Sequence, residues 1–284
     1  MGGVTSKCRQ PICKGGNRYY QLSDQGRDRY HGYLAWPCRR ELTVVTQATA
    51  MEIKVLTAIA GAESEALATI ITHWVTEEGQ QLMKLWNVPG KPLTSIRTQL
   101  SPDAIHIIAT QLLSALFSLH IREYAHGNIT LDSVIVHHTR SILRRKHRYQ
   151  ATLVDMSHAT THKRPQHERR TITTTTAPEL FPCREEPATI YNVGKPKPKV
   201  DMLKADVYSL GAVVFYMLFG NFPRNPSDAL NTLNTVELKP SKGCSHGIRV
   251  IPMLGNMMQR APEERKDCCY LIQTYGWKDP EKAE

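Results

Sequence analysis

The chain has 284 residues, 41% of them hydrophobic, with a formal charge of +10. That length suits one domain or two lobes, and no uninterrupted apolar run reaches the roughly 18 residues of a membrane-spanning helix. The charge attracts acidic proteins, anionic lipid or nucleic acid without choosing among them, but no basic–aromatic motif of a nucleic-acid module is present, so nucleic acid is not an expected partner.

Residues 1–17 read as a flexible basic tail. They open with MGGVTS. Loss of Met1 exposes Gly2, and Ser6 stands where the N-myristoylation signal wants a small hydroxyl residue. One acyl chain binds a bilayer only marginally, so a second signal is required. Lys7, Arg9, Lys14 and Arg18 supply charge, and Cys8 and Cys13 are candidate palmitoylation sites. No secretory signal opens the sequence. The seven cysteines are scattered and lack zinc-ligand spacing. A reduced intracellular setting on the cytoplasmic face of a membrane is expected.

From 18 to about 88 the segments are short and strand-prone: RYYQLS, RYHGYLAW, ELTVVTQ, ITHWVTE and QQLMKLW. One helical pattern, 50–61, interrupts them. Asn87-Val88-Pro89-Gly90 is a break. Beyond 91 the chain becomes mainly helical. Ser101-Pro102-Asp103 combines a capping serine, a first-turn proline and an acid, and apolar residues follow at steps of three and four through Leu119. Strand-prone SVIVHH and ATLVD flank the basic insert 139–150. A loop rich in Thr, Pro and Lys spans 160–203, and helical patterns occupy 204–219, 246–260 and 264–273. Residues 277–284 form a tail. This is an α+β plan, with a small β-rich lobe at 18–88 and a larger helical lobe at 91–276.

Three ordered landmarks resemble the eukaryotic protein kinase fold across roughly 18–276. KADVYSLGAVVFYMLFGNFP (204–223) is similar to the family's D-V-W-S-L-G helix, Ala177-Pro178-Glu179 to its A-P-E, and Arg265 to the arginine that pairs with that glutamate. The resemblance implies that Asp206 anchors the catalytic-loop backbone and that Glu179 and Arg265 form an ion pair.

The positions that carry chemistry depart from the family. HGNITLDS (126–133) stands where the family has H-R-D-L-x-x-x-N. The resemblance makes His126 a structural pin and puts Asn128 in place of the catalytic aspartate. A carboxamide cannot take a proton from a hydroxyl at neutral pH. Gly127 replaces an arginine, Thr130 a phosphate-neutralising lysine and Ser133 a magnesium ligand. HGN also resembles the pseudokinase domains of Janus kinases. Asp155-Met156-Ser157 aligns with D-F-G, so Asp155 is the one retained magnesium-motif acid and a weak metal site by itself. In the small lobe only Gly26 fits the glycine-rich loop, Thr46 takes the place of the phosphate-binding lysine, and Glu52 is expected to have lost that lysine as a partner, with Arg39 or Arg40 as a substitute. Asp132 is a candidate displaced base.

The resemblance therefore implies a divergent pseudokinase that requires no cofactor and binds a kinase, a kinase substrate or another signalling protein while tethered to the inner leaflet. Its compact single-domain form suits a virus or intracellular parasite as source. The alternatives are an unorthodox ATP- and magnesium-dependent serine/threonine kinase, or an electrostatic binder of anionic lipid or nucleic acid on a kinase scaffold.

Overall fold

The computed structural model describes residues 12–15, 18–24, 29–34, 43–60, 66–86, 88–96, 100–140, 147–165, 172–181, 199–236 and 246–276. Gly2, Cys8, Gly26, Arg39 and Arg40 lie outside them, as do residues 141–146 of the basic insert, and Cys13 lies on a described strand. The chain divides into two compact units, one of residues 1–61 and 68–88, the other of 62–67 and 89–284.

The first unit is built on an antiparallel sheet. Its strands are β1 (Ile12–Gly15), β2 (Arg18–Asp24), β3 (Arg29–Leu34), β4 (Thr43–Gln47), β5 (Ile70–Val75) and β6 (Gln81–Trp86), in the spatial order β1-β2-β3-β4-β6-β5. Residues 12–15, read from the sequence as part of the flexible tail, pair with β2 as an edge strand. Backbone pairing there does not need the apolar alternation that was missing. Helix α1 (Ala50–Ile59) connects β4 to β5. Thr49 caps it by accepting from the Glu52 amide, the Thr-x-x-Glu signature of a helix start. Glu52, Val55, Leu56 and Ile59 are buried, one stripe at helical spacing.

The second unit is organised by two helices. α2 (Pro102–His120) starts where Ser101 accepts from the Ala104 amide, as its sequence predicts, and buries Ile105, Ile108, Leu112, Leu116 and Leu119 among others. α3 (Met202–Phe219) is capped by Asp201, which accepts from the amides of Leu203 and Lys204. Residues Ala205 to Phe215 of α3 are all buried, so it has no solvent face over three turns. Both helices are long and apolar enough to cross a membrane by composition, but their membrane-length windows are 56% and 67% buried within the fold. Packing explains their composition. A Cβ on Gly211 would lie 2.9 Å from Met258 Cγ and 3.1 Å from Met257 Cβ. Glycine lets α3 approach α5 (Val250–Met257) that closely.

Short strands position the loops. β7 (Lys91–Pro92), β9 (Val134–Arg140) and β10 (His147–Leu153) form one sheet, with β9 central, and β8 (Tyr124–Ala125) pairs with β11 (Thr160–Thr161). β12 (Lys163–Pro165) pairs with β13 (Lys199–Asp201). Helix α4 (Pro226–Thr235) was not anticipated. Asn225 and Pro226 start it, but it buries only Ala229 and Leu233, too few for a periodic signal. α6 (Cys268–Tyr275) begins later than the pattern at 264 suggested, because Pro262–Glu264 is a short 3-10 turn and Asp267 supplies the cap.

Candidate functional site

The site is assembled in the second unit around the loop between β8 and β9. Asp206, on the first turns of α3, is 2% exposed. Its carboxylate accepts from the His126 amide at 2.7 Å and the Gly127 amide at 2.9 Å. His120 Nε2 lies 3.3 Å from the same carboxylate, and its Nδ1 is 3.5 Å from Cys268 Sγ. A buried acid therefore holds two successive amides of the loop, while an imidazole and a thiol from α2 and α6 back it. Burial pushes the Cys268 thiol up, well above the range of a reactive thiolate.

His126 is fully buried. Its Nε2 stands 3.0 Å from the Val154 carbonyl, which can only accept, so Nε2 carries the proton. Nδ1 then faces the Asn128 amide at 3.4 Å as an acceptor. Burial lowers its pKa, outweighing the Asp206 charge, and the neutral ring pins the loop to the strand before Asp155. Both ring nitrogens are committed, which fits a structural role.

Two further polar side chains of the loop, Ser133 and Asp132, are engaged in different ways. Ser133, 2% exposed, accepts from the Thr130 amide and donates to the Thr130 carbonyl, each at 2.9 Å. Its hydroxyl is spent on closing a turn. Asp132, the candidate displaced base, accepts from Thr94 Oγ1 at 2.7 Å on an exposed surface. Gly127 takes φ 81°, a left-handed conformation that glycine accepts without strain.

Asp155 takes φ 70° and ψ 71°. Aspartate tolerates this region better than most residues, and such backbone collects at functional sites. Ser157 Oγ donates to Asp155 Oδ1 at 2.7 Å. The Ser157 hydroxyl thus engages one oxygen of the Asp155 carboxylate. Met156 is buried behind it. Among the described residues, no group of three or more His, Cys, Asp or Glu side chains could hold a metal ion.

A small open depression lies beside this loop, lined by Gly127, Asn128, His158, Thr173, Thr176 and Ser209 among others. Among the described residues that line it, His158 is exposed and none is a carboxylate, lysine or arginine. The opposite wall is the segment 172–181. Thr175 Oγ1 donates to the Ile129 carbonyl at 2.5 Å and lies 3.0 Å from Thr173 Oγ1, whose own amide donates to Thr176 Oγ1. The hydroxyl-lined surface can accept and donate hydrogen bonds.

The segment ends at the expected ion pair. Arg265 is 1% exposed and grips Glu179 with two parallel bonds, Nη1 to Oε1 at 2.6 Å and Nη2 to Oε2 at 2.8 Å. Its other donors reach the carbonyls of Lys204, Arg260 and Gln259. All five guanidinium N–H groups are satisfied, and the group stacks 4.9 Å over the Tyr208 ring. Burial pushes the Tyr208 hydroxyl up to about 12.

In the first unit, Thr46 is buried on β4, where its hydroxyl donates to the Gln47 carbonyl at 3.2 Å. It offers no cation. Glu52 is also buried and is engaged in an interaction of its own; the aligned β4 position is Thr46, not a lysine. Lys84 escaped the sequence reading. It lies on β6 directly opposite Val45, one residue from Thr46, and is 8% exposed. Its neighbours Leu82 and Met83 are buried too, so the strand has no alternation that would single out a buried lysine.

No protein-family model matches the chain, and no curated protein matches it either. Solved structures do. The Cydia pomonella granulovirus kinase PK-1 superposes with a TM-score of 0.61 at 14% identity, covering 90% of this chain and 93% of that one. The structure of the Rad53 kinase domain and SCD2 superposes at 0.59 with 12% identity, covering 90% and 89%. At these identities the likeness is one of fold: the chain has a protein-kinase-like fold, with a β-rich N-terminal part and a helical C-terminal part.

Proposed function

We propose that this kinase-fold chain is a pseudokinase that acts by binding signalling proteins, tethered to the cytoplasmic face of a membrane through its N-terminus. The observation that carries the reading is the content of the 126–133 loop. Asp206 and His126 hold the loop as a kinase loop is held, while Asn128 stands at the proton-acceptor position and Ser133 is tied to Thr130. Phosphoryl transfer rests on positioning and charge neutralisation. Each lost contribution of about 1.36 kcal/mol slows it tenfold. A chain that keeps the frame and replaces these groups is suited to recognition.

The tether rests on MGGVTS and the cations behind it. Myristate labelling lost in Gly2→Ala, with loss of flotation on anionic vesicles, is the expected result. Catalysis is tested by autophosphorylation with ATP and magnesium. No incorporation above the no-enzyme blank is expected, and robust incorporation abolished by Asp155→Ala overturns the reading.

One observation favours a second reading, a weakly active kinase: Asp155 is retained in a left-handed turn. In that case Ser157→Gly, which frees the Asp155 oxygen, raises activity. A pseudokinase shows no such gain.

A further inference from the structure

In the first unit, β5 is the outermost strand and pairs on one side only, with β6. Among the described residues no strand lies on its other side. An open edge exposes a row of backbone donors and acceptors, and proteins usually guard it with lysine, other charges or proline. β5 reads Ile70-Ile71-Thr72-His73-Trp74-Val75. It contains no Lys, Arg, Asp, Glu, Pro or Gly. Four of its six residues are exposed, including Ile71 at 38% and Val75 at 60%. Its one irregularity is a register shift between Ile70 and Thr72, after which Thr72 to Val75 pair one to one with β6. Among the described residues the edge is therefore open, and it is regular where it is most exposed.

We propose that β5 is a self-association edge, pairing antiparallel with β5 of a second copy about a two-fold axis at His73. A strand without charge offers a foreign partner little to read, and the chain's excess of positive charge is carried elsewhere. The strand is complementary to itself. With His73 opposite its twin, Thr72 meets Trp74 and Ile71 meets Val75, each contact occurring twice. These are β-branched and aromatic cross-strand pairs, the kind that stabilise antiparallel ladders, and no Lys, Arg, Asp or Glu meets its like at the seam. Joining two such edges extends a sheet of six strands to one of twelve. The proposal is independent of whether the fold catalyses.

The test uses the full chain in sedimentation velocity from 1 to 100 µM. The wild type is expected to move from monomer to dimer across that range, more readily at higher salt, because each copy carries ten net positive charges that salt screens. His73→Lys places two like charges directly opposite and is expected to weaken association at least tenfold; His73→Glu does the same. Mixing the two variants restores a one-to-one heterodimer. His73 is exposed, and unchanged melting temperatures verify that both variants fold. As an independent readout, His73→Cys under mild oxidation yields a covalent dimer, whereas Gln80→Cys, beyond the strand, does not. A wild type that stays monomeric at 100 µM overturns the proposal. So does a dimer that survives His73→Lys, or a mixture that fails to pair.

Discussion

The ion pair at Arg265 and the loop at Asn128 belong to one unit and have been treated in opposite ways. At Arg265 each charged donor has a partner, two of them on Glu179, and an aromatic ring covers the guanidinium. At the loop, Asn128 presents a neutral carboxamide, and the Ser133 hydroxyl is folded back on Thr130. The buried charge that holds the segment in shape is fully paired, whereas the Ser133 hydroxyl serves only the turn it sits in.

The largest expected effect is on the complete side of that contrast. Arg265→Ala leaves Glu179 without its counter-charge in a site only partly open to water. Breaking such a pair costs about 3–5 kcal/mol, and a melting experiment should show a fall on the order of 10 °C. Arg265→Lys, which cannot reproduce the two-pronged grip, should lose most of the same amount. Next comes Asp206→Asn, which turns an amide NH₂ toward the amides of His126 or Gly127. A loss of about 2–3 kcal/mol is expected in chemical denaturation.

A pH series sharpens the comparison. His126 has its folded pKa lowered from 6.5 by burial. Below pH 6.5 the unfolded chain takes up a proton that the folded chain refuses, so stability falls as pH falls through and below that value. His126→Asn should flatten the slope between pH 6.5 and 5 by up to one proton, read from unfolding midpoints. Ser133→Ala removes two hydrogen bonds inside the turn and should cost about 1 kcal/mol. The smallest effect is predicted for Asn128→Asp. Restoring one acid without the other groups should leave phosphate transfer at background and stability within about 0.5 kcal/mol.

Much of this was legible in order along the chain. Asp206, Glu179 and Arg265 were legible through the resemblance of their motifs to the kinase landmarks, and the helix at 102–120 because its cap and apolar spacing agree. The substitution at Asn128 could be read from alignment of landmarks. The turn made by Ser133 could not, since a hydroxyl has no preferred direction in sequence. Nor could the bond from Ser157 to Asp155, the burial of Lys84, or helix α4 with its two buried residues. Each depends on which face of an element is covered, and that is settled by neighbours distant in the chain.

The series of contacts from Cys268 through His120 to Asp206 has a consequence for the chain's far end. The closing helix leans on the imidazole that leans on the acid gripping the loop. Fraying of α6 is therefore felt at the amides of His126 and Gly127, and deuterium uptake there should accelerate when α6 is removed. A partner that seizes α6 would have a lever on the 126–133 loop.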